Sequence, residues 1–291
     1  MATKKLDDDD DLNNRRNQTI IKATPIVATN DSWVTLYEDV LDPTDDDSEQ
    51  ILHELYQNLP WNVETDQFGP QSRPTCYFAD PECTFSYVGL KLDPPSTGST
   101  PGNNKWHPTV QKLRECVTRL LAVAGPDDPS SPSNESSRPL LTACLVNLYP
   151  QNKGFIPWHS DEIRAHGKDK VVASLSLGGP RRFQLRRRRR VDSCNHHTEE
   201  GETKPRMVAD LWLPSGSVLL MKGEVQEHFE HCLPLEPEII GDDAAAGDDA
   251  EMSFKKRQED VTINPLRISL TFRSIVPGYE SSNNRTIATD Q

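Results

Sequence analysis

The stretch Arg267-Ile268-Ser269-Leu270-Thr271-Phe272-Arg273 alternates without a break between polar and apolar side chains. A period of two puts Ile268, Leu270 and Phe272 on one face of a strand and Arg267, Ser269, Thr271 and Arg273 on the other. Such a strand belongs to a sheet with one face on a hydrophobic core and the other on something polar. Working back from it, residues 141–149, 171–177, 183–186 and 217–221 read as further short strands, with Gly178-Gly179-Pro180 turning between two of them. Earlier still, Ile51, Leu52, Leu55, Tyr56 and Leu59 form one stripe of a helix over 48–59. A second helix is predicted over 107–124, with Pro108 in its first turn and Gly125 as its stop. Helices first and many strands after predict an α+β fold with a sandwich or barrel core.

Composition sets the limits. The chain has 291 residues, 34% of them hydrophobic, and a net charge of −13. That apolar share is low for one compact unit, so part of the chain is expected outside the core. Residues 1–30 read as a flexible acidic tail, 31–278 as one domain and 279–291 as a flexible end. Polar insertions are expected near 92–104, 125–139, 187–206 and 235–262. The net charge excludes a uniformly basic nucleic-acid binder, yet it is uneven: acids crowd 7–11, 45–47 and 236–260, whereas 186–190 are all arginine. The six cysteines form no C-x-x-C pair, and no apolar signal segment or membrane-length run is present. The expectation is a soluble monomer with reduced thiols, nuclear and also cytoplasmic, with no membrane partner. Lys4-Lys5 and Arg15-Arg16 suit a nuclear signal, and the acidic segments suit a basic protein partner.

His159 and Asp161 are two residues apart, so on a strand they face the same side. With His231 arriving 72 residues later, two imidazoles and a carboxylate make the facial set that holds non-haem Fe(II) and leaves sites open. An isolated His-x-Asp is common by chance; the arginine strand gives it weight. Arg267 and Arg273 share a face, and guanidinium groups grip carboxylates bidentately, which suits a small dicarboxylate such as 2-oxoglutarate. His228 competes with His231 for the third ligand position.

Taken in order, His159-x-Asp161, His231 before Cys232-Leu233-Pro234, and Arg267-x-x-x-x-x-Arg273 resemble the AlkB family of 2-oxoglutarate dioxygenases. Asn147-Leu148-Tyr149 resembles the family's Asn-x-Tyr strand, and residues 171–178 with Arg182-Phe183 resemble its following core strands. The likeness covers roughly 50–90 and 140–275 and is nearest to eukaryotic members that repair alkylated DNA and RNA. It implies a double-stranded β-helix (jelly-roll) core flanked by N-terminal helices and nucleotide-recognition elements. It also implies Fe(II) on His159, Asp161 and His231, O2 as oxidant, and 2-oxoglutarate held by Asn147, Tyr149, Arg267, Ser269 and Arg273. Ser269 stands where the family usually has Asn.

Phe78-Ala79-Asp80 resembles the stretch in which the family has Tyr-Gly-Asp, and Tyr87 resembles the aromatic that stacks on a damaged base opposite His159. The implied substrate contacts are Tyr87, Glu162, Phe78, Asp80 and Arg182. Arg186, Arg187 and Arg188 are expected to grip phosphates of alkylated DNA or RNA. Gln67-Phe68-Gly69 resembles the hairpin wedge of duplex-acting members, whereas Leu59-Pro60-Trp61 resembles single-strand-preferring ones, so strand preference stays open. The expected reaction is oxidative demethylation of 1-methyladenine and 3-methylcytosine, releasing formaldehyde and succinate. Two other readings remain: an oxygenase of tRNA or protein, and an inactive nucleic-acid-binding scaffold. Cys194, His196 and His197 lack the second half of a zinc site.

Overall fold

The computed structural model describes residues 21–41, 46–87, 89–94, 106–123, 140–150, 154–162, 166, 170–188, 205–235 and 266–279. In chain order these form β1 (Lys22–Ala28), β2 (Ser32–Glu38), α1 (Asp46–Asn58), β3 (Thr65–Asp66), β4 (Gly69–Pro70), β5 (Thr75–Ala79), β6 (Phe85–Tyr87), β7 (Leu90–Leu92) and α2 (Pro108–Val123). Then follow β8 (Ala143–Tyr149), β9 (Ile156–His159), β10 (Val171–Gly178), β11 (Arg181–Arg187), β12 (Met207–Leu213), β13 (Val218–Gly223), α3 (Val225–His228), β14 (Phe229–Leu233) and β15 (Arg267–Arg273).

Two antiparallel sheets carry the architecture. One has seven strands in the order β1-β2-β13-β10-β15-β8-β5, the other four in the order β12-β11-β14-β9. From β8 onward, successive strands feed the two sheets so that β8, β15, β10 and β13 face β9, β14, β11 and β12. That is a double-stranded β-helix, as expected. Both strand edges and turns follow local rules: β8 is buried along its whole length, and Gly178 turns β10 into β11 with φ 84°.

The alternation of β15 is put to use on both faces. Ile268, Leu270 and Phe272 pack with Leu175 and Leu177 against the apolar stripes of α1 (Leu52, Leu55) and α2 (Val110, Leu113, Val117). Each leucine buried there contributes on the order of 1.5–3 kcal/mol. The opposite faces of the sheets enclose Val172, Phe183, Leu185, Leu219 and Met221. A pocket opens between the sheets at the ends where β9 and β14 lie against β8 and β15.

Two expectations need correction. The polar stretch 22–28 is a strand, not part of a tail: β1 is paired residue for residue with β2, from Lys22↔Glu38 to Ala28↔Trp33 around an irregularity at Pro25/Val27. Its exposed side chains hid it from a search for buried alternation. Residues 207–213, directly after the third expected insertion, form β12, a strand that the sequence reading did not include. Residues 1–20, 125–139, 236–265 and 280–291, with Arg189, Arg190, Cys194, His196 and His197, lie outside the described residues. The five described cysteines are free, and among the described residues no helix is long and apolar enough to cross a membrane.

Candidate metal centre and active site

β9 ends on His159, and β14 places His231 directly opposite it in the register. Their rings lie 4.3 Å apart, centroid to centroid. Asp161 follows two residues after His159, its Oδ1 3.7 Å from His159 Nε2. One ligand atom from each of the three falls within 4.8 Å of the others. His228 is not part of this set; its Nε2 lies 3.4 Å from Asp31 Oδ2 on the β1–β2 turn.

His159 and Asp161 are each oriented by a neighbour. His159 Nδ1 lies 2.9 Å from the Pro157 carbonyl oxygen, and as a donor there it leaves Nε2 with its lone pair. Arg273 gives Asp161 Oδ2 two hydrogen bonds, from Nε at 3.0 Å and Nη2 at 2.9 Å, so Oδ1 stays available. The Asp161 amide donates to Gln226 Oε1 at 2.9 Å. Burial opposes ionisation of Asp161, but the Arg273 guanidinium and the neighbouring imidazoles hold its carboxyl well below the usual range. Burial pushes the His231 imidazole down to about 3, aided by His159. The protein therefore keeps a neutral imidazole and an anionic carboxylate ready, the states that bind metal. His231 Nδ1 is buried with no hydrogen-bond partner among the described residues. The donor set and this unpartnered atom fit Fe(II).

Deeper in the pocket, β15 opposes β8 so that Arg267 pairs with Tyr149 and Ser269 with Asn147. Arg267 is buried; its guanidinium carbon lies 5.0 Å from the Tyr149 ring centroid and its Nη2 donates to Ser176 Oγ at 3.1 Å. Its Nε and Nη1 have no partner among the described residues, and burial pushes its guanidinium down to about 10. A buried cation with two idle donors is costly unless an anion meets it, and one carboxylate end of 2-oxoglutarate fits that position. Ser269 Oγ is 3.0 Å from Ser174 Oγ, so the hydroxyl at the departed position is bonded within the sheet.

The cavity over the triad measures about 630 Å³. It brings together the predicted Asn147, Tyr149, His159, Asp161, Glu162, His231, Arg267, Ser269, Arg273 and Tyr87. It does not bring in three others. Phe78 points into the helix-side core with Cys76, because β5 alternates and Tyr77 and Ala79 face the Phe85 side. Asp80 lies beyond the end of β5, in an ion pair with Arg114 of α2 at 2.9 Å. Arg182 points outward to Asp210, its Nη2 2.6 Å from Oδ2, while its neighbour Arg181 points in. Arg186 is held by Glu230 at 2.7 Å and covers the Trp158 ring at 4.1 Å, so it is not a free phosphate grip.

Three pocket residues escaped sequence reasoning. Arg73 is buried and donates to Asn147 Oδ1 at 2.8 Å across 74 residues. Gln226 lies on a four-residue helix. Phe85 lies under the Arg273 guanidinium at 4.5 Å and beside Tyr87 at 5.4 Å. Phe85 alone carried a local signal, being two residues from Tyr87 on one strand.

A double-stranded β-helix with a His-Asp-His centre and a buried arginine beyond it defines an iron oxygenase of the 2-oxoglutarate type, and the family model described as the 2OG-Fe(II) oxygenase superfamily matches residues 33–273. The chain belongs to that superfamily and is an Fe(II)- and 2-oxoglutarate-dependent dioxygenase that uses O2. Within it the chain is AlkB-like. It is 25% identical over 250 residues to human alpha-ketoglutarate-dependent dioxygenase alkB homolog 3, across 84% of this chain and 67% of that protein. It is 26% identical over 195 residues to the DNA oxidative demethylase ALKBH2 of Arabidopsis thaliana, across 62% of this chain and 54% of that protein. The solved structure of OsALKBH1 covers 83% of this chain, and this chain 96% of that one, at 18% identity and a TM-score of 0.48.

Proposed function

We propose that this dioxygenase removes N-methyl groups from 1-methyladenine and 3-methylcytosine in DNA or RNA. The observation that carries the reading is that one cavity of about 630 Å³ is lined by His159, Asp161 and His231 together with Tyr87, Glu162 and Asp66. A space of that size admits one extruded base. Tyr87 is half-buried and its hydroxyl bonds Gln71 Oε1 at 3.1 Å, which fixes the ring as a stacking face. Both methylated bases are cations, and the acidic walls with the aromatic faces favour a cation over a neutral base. Phe68 stands at the tip of the β3–β4 turn, 82% exposed yet lining the same cavity, which suits stacking on nucleic acid. The relatives named as alkB homolog 3 and DNA oxidative demethylase ALKBH2 support the same substrate class.

In this reading His159, Asp161 and His231 hold Fe(II), Arg267 and Tyr149 take the distal carboxylate of 2-oxoglutarate, and Arg273 the carboxylate beside its keto group. Bound together with O2, the metal and co-substrate supply an oxidant for one C–H bond, 2-oxoglutarate leaving as succinate and CO2. Tyr87 and His159 sandwich the base and aim its methyl group inward. Glu162 stabilises the positive ring. Val172, Leu219 and Met221 form an apolar wall that keeps bulk water out. Insertion of one oxygen atom into that C–H bond would leave a hydroxymethyl group on the ring nitrogen; its N–C bond then breaks, the electron pair returns to the nitrogen, and formaldehyde and the hydroxyl proton depart.

The test is formaldehyde release from oligonucleotides carrying either base, in single- and double-stranded DNA and RNA, with Fe(II) loaded anaerobically before O2 and 2-oxoglutarate. Release that disappears in His159→Ala is expected. Consumption of 2-oxoglutarate with no formaldehyde from any of these substrates would overturn the reading and turn attention to tRNA or protein substrates.

A further inference from the structure

A second concavity, about 510 Å³, opens beside the active pocket. Its walls are the β1–β2 turn at 29–32, the end of α3 with Phe229, and the exposed end of β11. Arg188 and Glu227 line both cavities, so the two adjoin along that ridge. One unit of a polymer in the first cavity would place its neighbour in the second.

The charges around this second cavity are unequal in what they leave over. Asp31 accepts hydrogen bonds from Thr29 and Ser32, each at 2.9 Å, besides facing His228 at 3.4 Å. Glu227 takes Lys170 Nζ at 2.8 Å, and Glu224 takes the same ammonium at 2.5 Å. Glu230 is occupied by Arg186 through both Nε and Nη2, at 2.9 and 2.7 Å. Each of these acids is thus already engaged by a hydrogen bond or a cation. Arg187 is exposed, has no acidic partner among the described residues, and lays its guanidinium 5.3 Å from the Phe229 ring centroid. That cation–π contact holds the guanidinium beside Phe229 at the cavity wall. Arg188 is 47% exposed, with one long contact of 3.9 Å to Glu230 and a 3.4 Å bond to the Gln226 carbonyl. Two under-used guanidinium groups at the rim of a polar cavity suit a phosphate oxygen.

We propose that this cavity is a phosphodiester subsite, in which Arg187 and Arg188 hold the backbone of the nucleotide next to the target base. The proposal rests on the nucleobase reading above and adds a location: the strand passes over the Arg188 ridge towards the β1–β2 turn, and Arg186 takes no part.

Two measurements on the full chain test it. The first is anisotropy of a labelled single-stranded pentanucleotide between 50 and 200 mM salt, which needs no turnover. Arg187→Ala/Arg188→Ala is expected to weaken binding roughly tenfold and to flatten the log–log salt slope by about 0.7 for each lost contact. Arg187→Lys/Arg188→Lys restores the slope, and Lys22→Ala, on the outer strand, leaves it as in the parent. The second is the ratio of kcat/KM for 1-methyladenine within that pentanucleotide to kcat/KM for free 1-methyladenosine. The double alanine variant is expected to lower this ratio about tenfold, through KM, because only the oligonucleotide carries the neighbouring phosphate. An unchanged slope and ratio would overturn the subsite. Binding lost with the double variant but no formaldehyde from either substrate would uphold the subsite while the demethylation reading failed.

Discussion

Asp161 answers to Arg273 at its carboxylate and to Gln226 at its backbone amide, while His159 answers to the Pro157 carbonyl. These supports decide how sharply three side chains can meet one ion. Groups that orient metal ligands typically matter by 10–100-fold in affinity or rate. Gln226→Leu is therefore expected to weaken Mn(II) or Fe(II) binding about 10-fold or more, with the fold intact by circular dichroism; unchanged metal affinity would remove Gln226 from the site. A second residue-scale consequence concerns pH. Burial lowers His231 to about 3, and burial with Arg273 lowers His166 to about 4, both from 6.5. Between those values and 6.5 the unfolded chain binds protons that the metal-free folded chain does not, so stability is full above about pH 6.5 and falls as pH drops. Each histidine contributes a slope of up to about 1.4 kcal/mol per pH unit. Urea midpoints at pH 7 and pH 5 check this, and His166→Leu should shrink the difference between them. A midpoint that does not fall at pH 5 would contradict it.

At the scale of elements, the junction of β13, α3 and the β1–β2 turn sets where Gln226 and His231 stand. Gly223 ends β13 with φ 69°, and a Cβ there would meet the Asp31 carbonyl oxygen at 2.1 Å. That same oxygen accepts the Glu224 amide at 2.7 Å. Gly223→Ala is expected to cost about 1–3 kcal/mol from the backbone conformation alone, with the contact adding to it. The expected readout is a lowered melting temperature together with weaker metal binding, since α3 moves with the turn. A change in neither would show the junction to be slack. Much of this level was legible beforehand: β8, β10, β11, β13 and β15 and both longer helices follow plain apolar periodicity. β9 and β14 were not, because strands of four and five residues carry too few positions to show a period.

For the whole molecule, ligand binding and folding are linked. Mn(II), which holds the same ligands without turnover, stabilises the folded chain, and 2-oxoglutarate adds to it, each by about 2.7 kcal/mol at 100 times its Kd. Arg267→Ala is expected to abolish the 2-oxoglutarate increment in melting temperature and to keep the Mn(II) increment. Loss of both would mean that Arg267 supports the fold instead of the co-substrate.

By itself the sequence determined the strands of the core, the identity of the His-Asp-His set and the arginine pair, and through its motifs the AlkB-like character. The strands and the arginine pair rest on spacing along single strands, where a period of two assigns a face without knowledge of neighbours, and the His-Asp-His set rests on the order of its motifs. Only the tertiary structure decided which side chains join them. Arg73 reaches Asn147 and Gln226 reaches Asp161 across 74 and 65 residues, while Phe78, Asp80, Arg182 and Arg186 are drawn off by partners from other elements. The physical reason is that a face is a local property of a strand, whereas a buried or charged group is settled by whichever distant partner packing brings within reach.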